Sequence, residues 1–305
     1  MSRRSPQRIG LLVAATAAVL AGSLAGGAAA SPVISDPIAE LDAIDARAVA
    51  VTPQREPTCR TVRYTPGSAA VPMTGEWCAP PAGGGDVVVL VHGGGGYEGE
   101  PADATVWRDE HLAAGRTTFV IEYTLLEVGA GSAAYPRPEQ NVMAAVQFAR
   151  LRTGGDVIVH GFSAGARLAA IVATAADDPA FAGPELHPGV SARVDGAILF
   201  YGYYDGLQFH GEQYYGGSAA PVEANAIAEA SSEDPPMLIV HGTDDVMTAP
   251  AGAVEFAAAL DAVGVAAELV LIDGANHVFD GYGAEALTDA GAALVPAIDR
   301  YVSGL

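Results

Sequence analysis

Lysine is absent from this 305-residue chain, and all 15 of its basic residues are arginine. Set against 36 acidic residues, they leave a formal net charge of −21. A surface of that sign repels nucleic acid and anionic membranes, so neither is expected as a partner. Cysteine is almost absent too. Only Cys59 and Cys78 occur, and two thiols without nearby histidines make a poor zinc site. No sequence repeat is present, which excludes solenoid and propeller arrays. Beyond the N-terminus no apolar run is long enough to span a bilayer.

The N-terminus, "MSRRSPQRIGLLVAATAAVLAGSLAGGAAASP", carries Arg3, Arg4 and Arg8, then an Ala/Leu-rich stretch ending at Ala28-Ala29-Ala30. That layout is a secretory signal peptide over residues 1–30 with an A-x-A-like cleavage site near Ala30. Ser5-Pro6-Gln7 after the arginine pair fit a twin-arginine signal poorly, so the general export route is expected. Losing those three arginines takes the mature chain to −24. The expected compartment is extracellular or periplasmic, and oxidising, where two cysteines suggest a disulfide. Between Cys59 and Cys78, "RTVRY" and "MTGEW" flank the turn-rich "TPGSAAVP", a β-hairpin pattern with the cysteines facing each other across it. Residues 31–56, rich in prolines and acids, read as a surface arm preceding one domain over 57–305.

Within that domain six continuous apolar runs read as strands buried on both faces: 86–92, 117–123, 156–160, 194–201, 236–241 and 267–273. Helical patterns lie among and after them at 104–114, 138–152, 163–177, 250–263 and 284–303. The alternation predicts an α/β fold, a mostly parallel central sheet with helices on both faces. In such sheets ligands bind at the carboxyl ends of the strands. The tyrosine- and glycine-rich segment 201–235 breaks the rhythm. It reads as a loop or short cap over the site, with a helix near 222–230.

Gly161-Phe162-Ser163-Ala164-Gly165 fits G-x-S-x-G. A lone match is weak in a chain with 37 glycines, but this one follows a strand and opens a helix, the setting of a nucleophile elbow. A serine hydroxyl needs a base to take its proton, and the base needs an acid to orient it. Hydrolases of this architecture place the partners in the order Ser, Asp/Glu, His. After Ser163, only His277, in "LVLIDGANHVF", has both a strand-end position and a strand-end acid before it. The acid follows the strand "PMLIVH", where Asp244 and Asp245 are adjacent and composition does not choose between them. His92, His160 and His241 each end a strand before a glycine and read as structural. His111 and His187 read as surface residues, and His210 as a possible substrate contact. The elbow rule makes the N–H of Ala164 one oxyanion donor. The second comes from the loop after the first central strand, "LVHGGGGYEGE".

"VHGGGG", "YPRPEQNVMAAVQFAR", "GFSAGARLAA" and "DPPMLIVHGTDDVMTAPAGAVEFAAALDAVGVAAELVLIDGANHVF" resemble the α/β-hydrolase superfamily. Within it they are similar to bacterial carboxylesterases related to hormone-sensitive lipase and to acetyl- and feruloyl-esterases. The resemblance covers about residues 85–300. It implies the α/β-hydrolase fold and a serine carboxylesterase. Its H-G-x-x-D pattern points to Asp245, its G-x-x-H-x-F pattern falls on Gly274, His277 and Phe279, and its glycine loop points to Gly94 and Gly95 beside Ala164. The extra Gly96 leaves that register open by one. Tyr123-Thr124 stands where these esterases usually carry Tyr-Arg, Ala166 replaces a glycine, and Phe162 replaces the acidic residue typical of the hormone-sensitive-lipase branch. The last difference favours the acetyl/feruloyl side.

The expected activity is hydrolysis of short-chain acyl or aryl esters, with a small-molecule or polysaccharide-linked substrate and no metal or organic cofactor. A lipase or polyester hydrolase, a small serine peptidase of the same fold and a non-catalytic hydrolase-like binding protein are the competing readings. A dienelactone hydrolase would use cysteine at the elbow.

Overall fold

The computed structural model describes residues 56–206 and 209–305. The signal peptide expected over 1–30 and almost all of the arm expected over 31–56 lie outside the described residues. Among the described residues no helix is long and apolar enough to cross a membrane.

The chain enters through a hairpin, β1 (Thr58–Arg63) and β2 (Thr74–Ala79). Cys59 and Cys78 pair directly across its ladder and are joined by a disulfide. There follow β3 (Val87–Val91), α1 (Thr105–Ala113), β4 (Thr117–Ile121), α2 (Arg137–Arg150), β5 (Val157–Phe162), α3 (Ala164–Ala175) and β6 (Gly196–Phe200). Two four-residue helices, α4 (Gly211–Tyr214) and α5 (Ala226–Glu229), precede β7 (Met237–Gly242), α6 (Pro250–Ala262), β8 (Ala267–Ile272) and α7 (Asp289–Val302).

Among the described residues, eight strands form one sheet in the order β1-β2-β4-β3-β5-β6-β7-β8. The hairpin strands are antiparallel, and β4 through β8 run parallel. Alternate side chains of each strand leave opposite faces. Val87, Val89 and Val91 pack with α2, α3 and α6, whereas Val88 and Leu90 face α1 and α7. This is the α/β-hydrolase fold, with helices on both faces of a mostly parallel sheet.

Local patterns explain most boundaries. In α7, Leu294, Ile298 and Val302 recur every four residues and are buried against the sheet. The helix begins at Asp289, five residues later than its apolar pattern suggests. Thr288 accepts a hydrogen bond from Gly291 N–H as N-cap, and Gly281 and Gly283, with positive φ, keep the preceding stretch in a loop. The last strand also departs from expectation. Among the described residues β8 pairs only with β7, and its residues are half-buried or exposed because it closes the sheet edge.

Two histidines expected at the surface are not there. His111 lies four residues after Trp107, on the same inward face of α1, and is buried. Arg116 donates to its Nδ1 at 3.2 Å, so its Nε2 carries the proton and donates to His160 Nδ1 at 3.1 Å. Burial drives its pKa down to about 3, and the nearby Arg116 charge adds to the effect. His187 is half-buried, with Nε2 2.7 Å from the Tyr64 carbonyl. His160 sits inside β5 rather than at its end.

The 201–235 segment holds α4, α5 and a 3-10 turn at Val222–Ala224 in place of a single helix. It is tied to the domain by a buried polar cluster. Arg167 of α3 pairs with Glu139 of α2 at 3.0 Å, Tyr214 donates to Glu139 at 3.0 Å, and Arg167 donates to Tyr215 Oη at 2.7 Å.

Candidate active site

Ser163 stands between the last residue of β5 and the first of α3, with φ 52° and ψ −115°. A positive φ is costly for a residue with a side chain, so the surroundings must enforce it. They do so by close packing. A Cβ on Gly161 would strike the carbonyl of Gly165, and one on Gly165 would strike the carbonyl of Val91. Ser163 N–H donates to Phe200 O at 2.9 Å, which fixes the turn to β6. The side chain is thereby presented at the carboxyl edge of the sheet.

His277 arrives from the loop after β8, and its Nε2 lies 3.0 Å from Ser163 Oγ. Asp245 arrives from the loop after β7, and its Oδ2 lies 2.7 Å from His277 Nδ1. A carboxylate cannot donate, so Nδ1 carries the ring proton. Nε2 is then the acceptor facing the serine hydroxyl. Asp244, the adjacent candidate, is exposed, and its carboxylate touches Thr243 Oγ1 at 3.4 Å.

The Asp245 carboxylate is held from every side. Oδ1 accepts from the N–H groups of Met247 and Thr248 at 2.8 and 2.9 Å. Besides His277, Oδ2 lies 2.9 Å from Thr248 Oγ1 and 3.2 Å from His241 Nε2. Burial by itself would raise its pKa. The hydrogen bonds from His241, His277 and Thr248 outweigh that and hold it well below the usual carboxylate range.

His241 was missed as part of this site by reasoning along the sequence. It is fully buried, and its Nε2 faces two acceptors, the Asp245 carboxylate and the Thr248 carbonyl at 2.8 Å. Its Nε2 therefore bears the proton, and Nδ1 is buried without a hydrogen-bond partner among the described residues. The available signal was its place four residues before Asp245 in H-G-x-x-D.

The glycine loop after β3 lies against the serine. A Cβ on Gly93 would lie 3.4 Å from the Ser163 Cβ, and the Gly93 N–H donates to Tyr282 Oη at 2.7 Å. That N–H is already engaged, which takes the first glycine of the run out of consideration as a donor to a ligand. Gly94 has φ 103°, and its carbonyl accepts from Tyr97 and Glu98 N–H in a tight turn. A Cβ there would collide with the Glu98 carbonyl. Beneath the loop, Tyr123 Oη donates to His92 O at 3.0 Å and stacks on the His92 ring. Ala164 heads α3, where backbone N–H groups lack helical partners and the helix dipole is positive.

Tyr282 is the second residue that sequence reasoning missed. It belongs to the loop that carries His277, and that loop is anchored by buried Asp280. Trp107 Nε1 and Tyr201 Oη donate to the two oxygens of Asp280 at 2.6 and 3.1 Å. His210 is exposed, and its ring meets Tyr97 edge-on at 5.0 Å. Thr124, standing where the arginine of Tyr-Arg is usual, bonds through N–H and Oγ1 to Asn141 Oδ1 at 2.9 and 2.8 Å.

A family model described as BD-FAE matches residues 80–260, more than half of the chain. Esterase LipQ of Mycobacterium tuberculosis is 32% identical over 149 residues, 42% of this chain. That match spans only 34% of the relative's own length. Among solved structures, the apo form of Thermogutta terrifontis esterase 2 is similar with a TM-score of 0.69 and 22% identity, covering 83% of this chain and 97% of that one. A truncated form of a carbohydrate esterase from gut microbiota is similar with a TM-score of 0.60 and 16% identity, covering 72% and 89%. At these identities the structural likenesses establish the fold.

Proposed function

The chain belongs to the BD-FAE family, and from that premise we propose that it is an exported serine carboxylic-ester hydrolase acting on short-chain acyl or aryl esters. One observation carries the reading: the unbroken relay from Ser163 Oγ to His277 Nε2 at 3.0 Å and from His277 Nδ1 to Asp245 at 2.7 Å. The esterase names of the similar proteins support it.

Ser163 Oγ attacks the ester carbonyl while its proton passes to His277 Nε2. Asp245 orients the ring and stabilises the imidazolium. Negative charge gathers on the former carbonyl oxygen, and the N–H groups of Gly94, Gly95 and Ala164 stabilise it. Each such donor is worth about 2.7–4 kcal/mol in the transition state. The tetrahedral intermediate collapses, the bond to the alcohol oxygen breaks, and that oxygen takes the proton from His277 Nε2. Water, deprotonated by the same nitrogen, then attacks the acyl-enzyme, and Ser163 regains its proton as the acid leaves.

The test is hydrolysis of p-nitrophenyl acetate by the wild type and Ser163→Ala. Loss of turnover to near background with an unchanged melting temperature supports the nucleophile. Retained turnover removes it.

A further inference from the structure

His277 is held at both ring nitrogens, by Asp245 at Nδ1 and by Ser163 at Nε2. Hydrogen bonds tolerate about 30° of misalignment, so these two do not by themselves fix the tilt of the ring. Its own loop offers little packing to do so. Asp273, Gly274, Asn276 and Val278 on either side of His277 are exposed.

Tyr201 packs against the ring instead. It follows β6 directly and is fully buried. Its ring stands at 65° to the His277 ring, with centroids 4.8 Å apart. It also meets Phe279, two residues along the same loop, edge-on at 5.5 Å. Its hydroxyl donates to Asp280 Oδ1 at 3.1 Å, and Asp280 in turn accepts from Trp107 Nε1 at 2.6 Å. Burial and the neighbouring Asp280 push that hydroxyl well above the usual tyrosine range, so it stays protonated and donates. His277, Phe279 and Asp280 thus all rest on one side chain. The Tyr201 carbonyl lies 2.9 Å from Thr248 Oγ1, which lies 2.9 Å from Asp245 Oδ2. One residue therefore touches the base directly and the acid through Thr248.

The backbone adds an independent sign. Tyr201 has φ 41°, a conformation costly for a residue with a side chain, and its N–H is fixed to Val240 O at 2.8 Å. Glycine would take that turn with less strain but would bring neither ring nor hydroxyl. Strain of this kind persists where the surroundings need a side chain aimed in one direction.

We propose that Tyr201 is a positioning residue for the base: its ring sets the tilt of the His277 imidazole, and its hydroxyl, through Asp280, sets the loop that carries it. The proposal rests on the esterase reading above and adds a residue outside the triad. Tyr201 acts through His277 and not on the substrate.

The experiment compares two leaving groups. p-Nitrophenolate departs without a proton, whereas the ethanol oxygen of ethyl acetate must receive one from His277 Nε2. A misplaced ring therefore harms ethyl acetate more than p-nitrophenyl acetate. Loss of folded enzyme lowers both equally and leaves their ratio unchanged. Tyr201→Leu removes ring and hydroxyl, and kcat/KM should fall about 100-fold for ethyl acetate and about 10-fold for p-nitrophenyl acetate. Tyr201→Phe keeps the ring and loses the Asp280 bond, and the two values should fall about 10-fold and about 3-fold. In both variants the loss should lie in kcat, with KM for p-nitrophenyl acetate nearly constant and thermal melting verifying the fold. If Tyr201→Leu does not fold, Tyr201→Phe decides by itself. A folded Tyr201→Phe enzyme within twofold of wild type on both esters, an equal loss on both esters in a folded variant, or a loss confined to KM overturns the proposal and leaves the esterase reading intact. Wild-type turnover of both esters no faster than by Ser163→Ala overturns both.

Discussion

Asp245→Asn is the perturbation that the geometry constrains most tightly. Oδ1 accepts two backbone N–H bonds, from Met247 and Thr248, so the asparagine must leave its carbonyl oxygen there. Its NH₂ group then occupies the position of Oδ2, facing His277 Nδ1, Thr248 Oγ1 and His241 Nε2. One of its hydrogens now points at His277 Nδ1, a nitrogen that previously donated. His277 responds by moving its proton to Nε2, where it faces Ser163 Oγ and can no longer accept the serine proton. Loss of the correct tautomer costs about 10⁴ in kcat in the serine-protease triad, equivalent to about 5.5 kcal/mol. A similar loss is expected here, with KM for p-nitrophenyl acetate changed by only a few-fold. His241 retains its bond to the Thr248 carbonyl, so the fold should survive, as thermal melting would report. Asp244→Asn alters an exposed side chain and should change kcat less than about twofold. An Asp245→Asn enzyme within tenfold of wild type, or an equal loss from Asp244→Asn, would refute the assignment of the acid.

Tyr282→Phe removes the acceptor of the Gly93 N–H, which should cost about 1–3 kcal/mol at a buried donor. If that bond positions the glycine loop, kcat should fall about 10–100-fold with KM nearly constant, and affinity for a phosphonate transition-state analogue should fall in parallel. Unchanged kcat would separate Tyr282 from the loop's function. His160 is buried with a pKa depressed by burial, and His111 is held down to about 3. The unfolded chain therefore binds more protons than the folded one below about pH 6.5, and stability falls as pH drops through that range. Each histidine should remove about 1.4 kcal/mol by pH 5.5. The His111→Leu, His160→Phe double variant should flatten chemical-denaturation stability between pH 6.5 and 5, and an unchanged slope would place the protons elsewhere. Reduction of Cys59–Cys78 opens a loop worth about 3 kcal/mol. The melting temperature should then fall by roughly 6–12 °C. An unchanged melting temperature after verified reduction would show that the link does not stabilise the folded chain.

Much of this molecule was legible along the chain because its signals are local. Val87–Val91, Thr117–Ile121 and Met237–Gly242 are short apolar runs bounded by turns, and they become strands within a residue or two of their sequence limits. The elbow was visible because G-x-S-x-G must sit between a strand and a helix. The hairpin register followed from the symmetric spacing of Cys59 and Cys78 about their turn. The misses have physical causes as well. β8 carries the apolar run of a central strand yet lies at the edge, since periodicity does not report how many neighbours a strand has. His111 looked superficial because a polar residue type outweighed its helical spacing from Trp107.

By itself, then, the sequence determined the alternation of strands and helices, the elbow at Ser163 and the candidates His277, Asp244 and Asp245. Periodicity, turn chemistry and motif spacing act over a few residues, and a linear reading captures them. The tertiary structure decided which of two adjacent aspartates reaches the imidazole, because that depends on which carboxylate β7 turns inward against a loop 32 positions later. It also decided that His241 shares the acid and that Tyr282 occupies the Gly93 N–H. Each is a meeting of segments distant in sequence, and only the packing of the sheet and its loops brings them within reach.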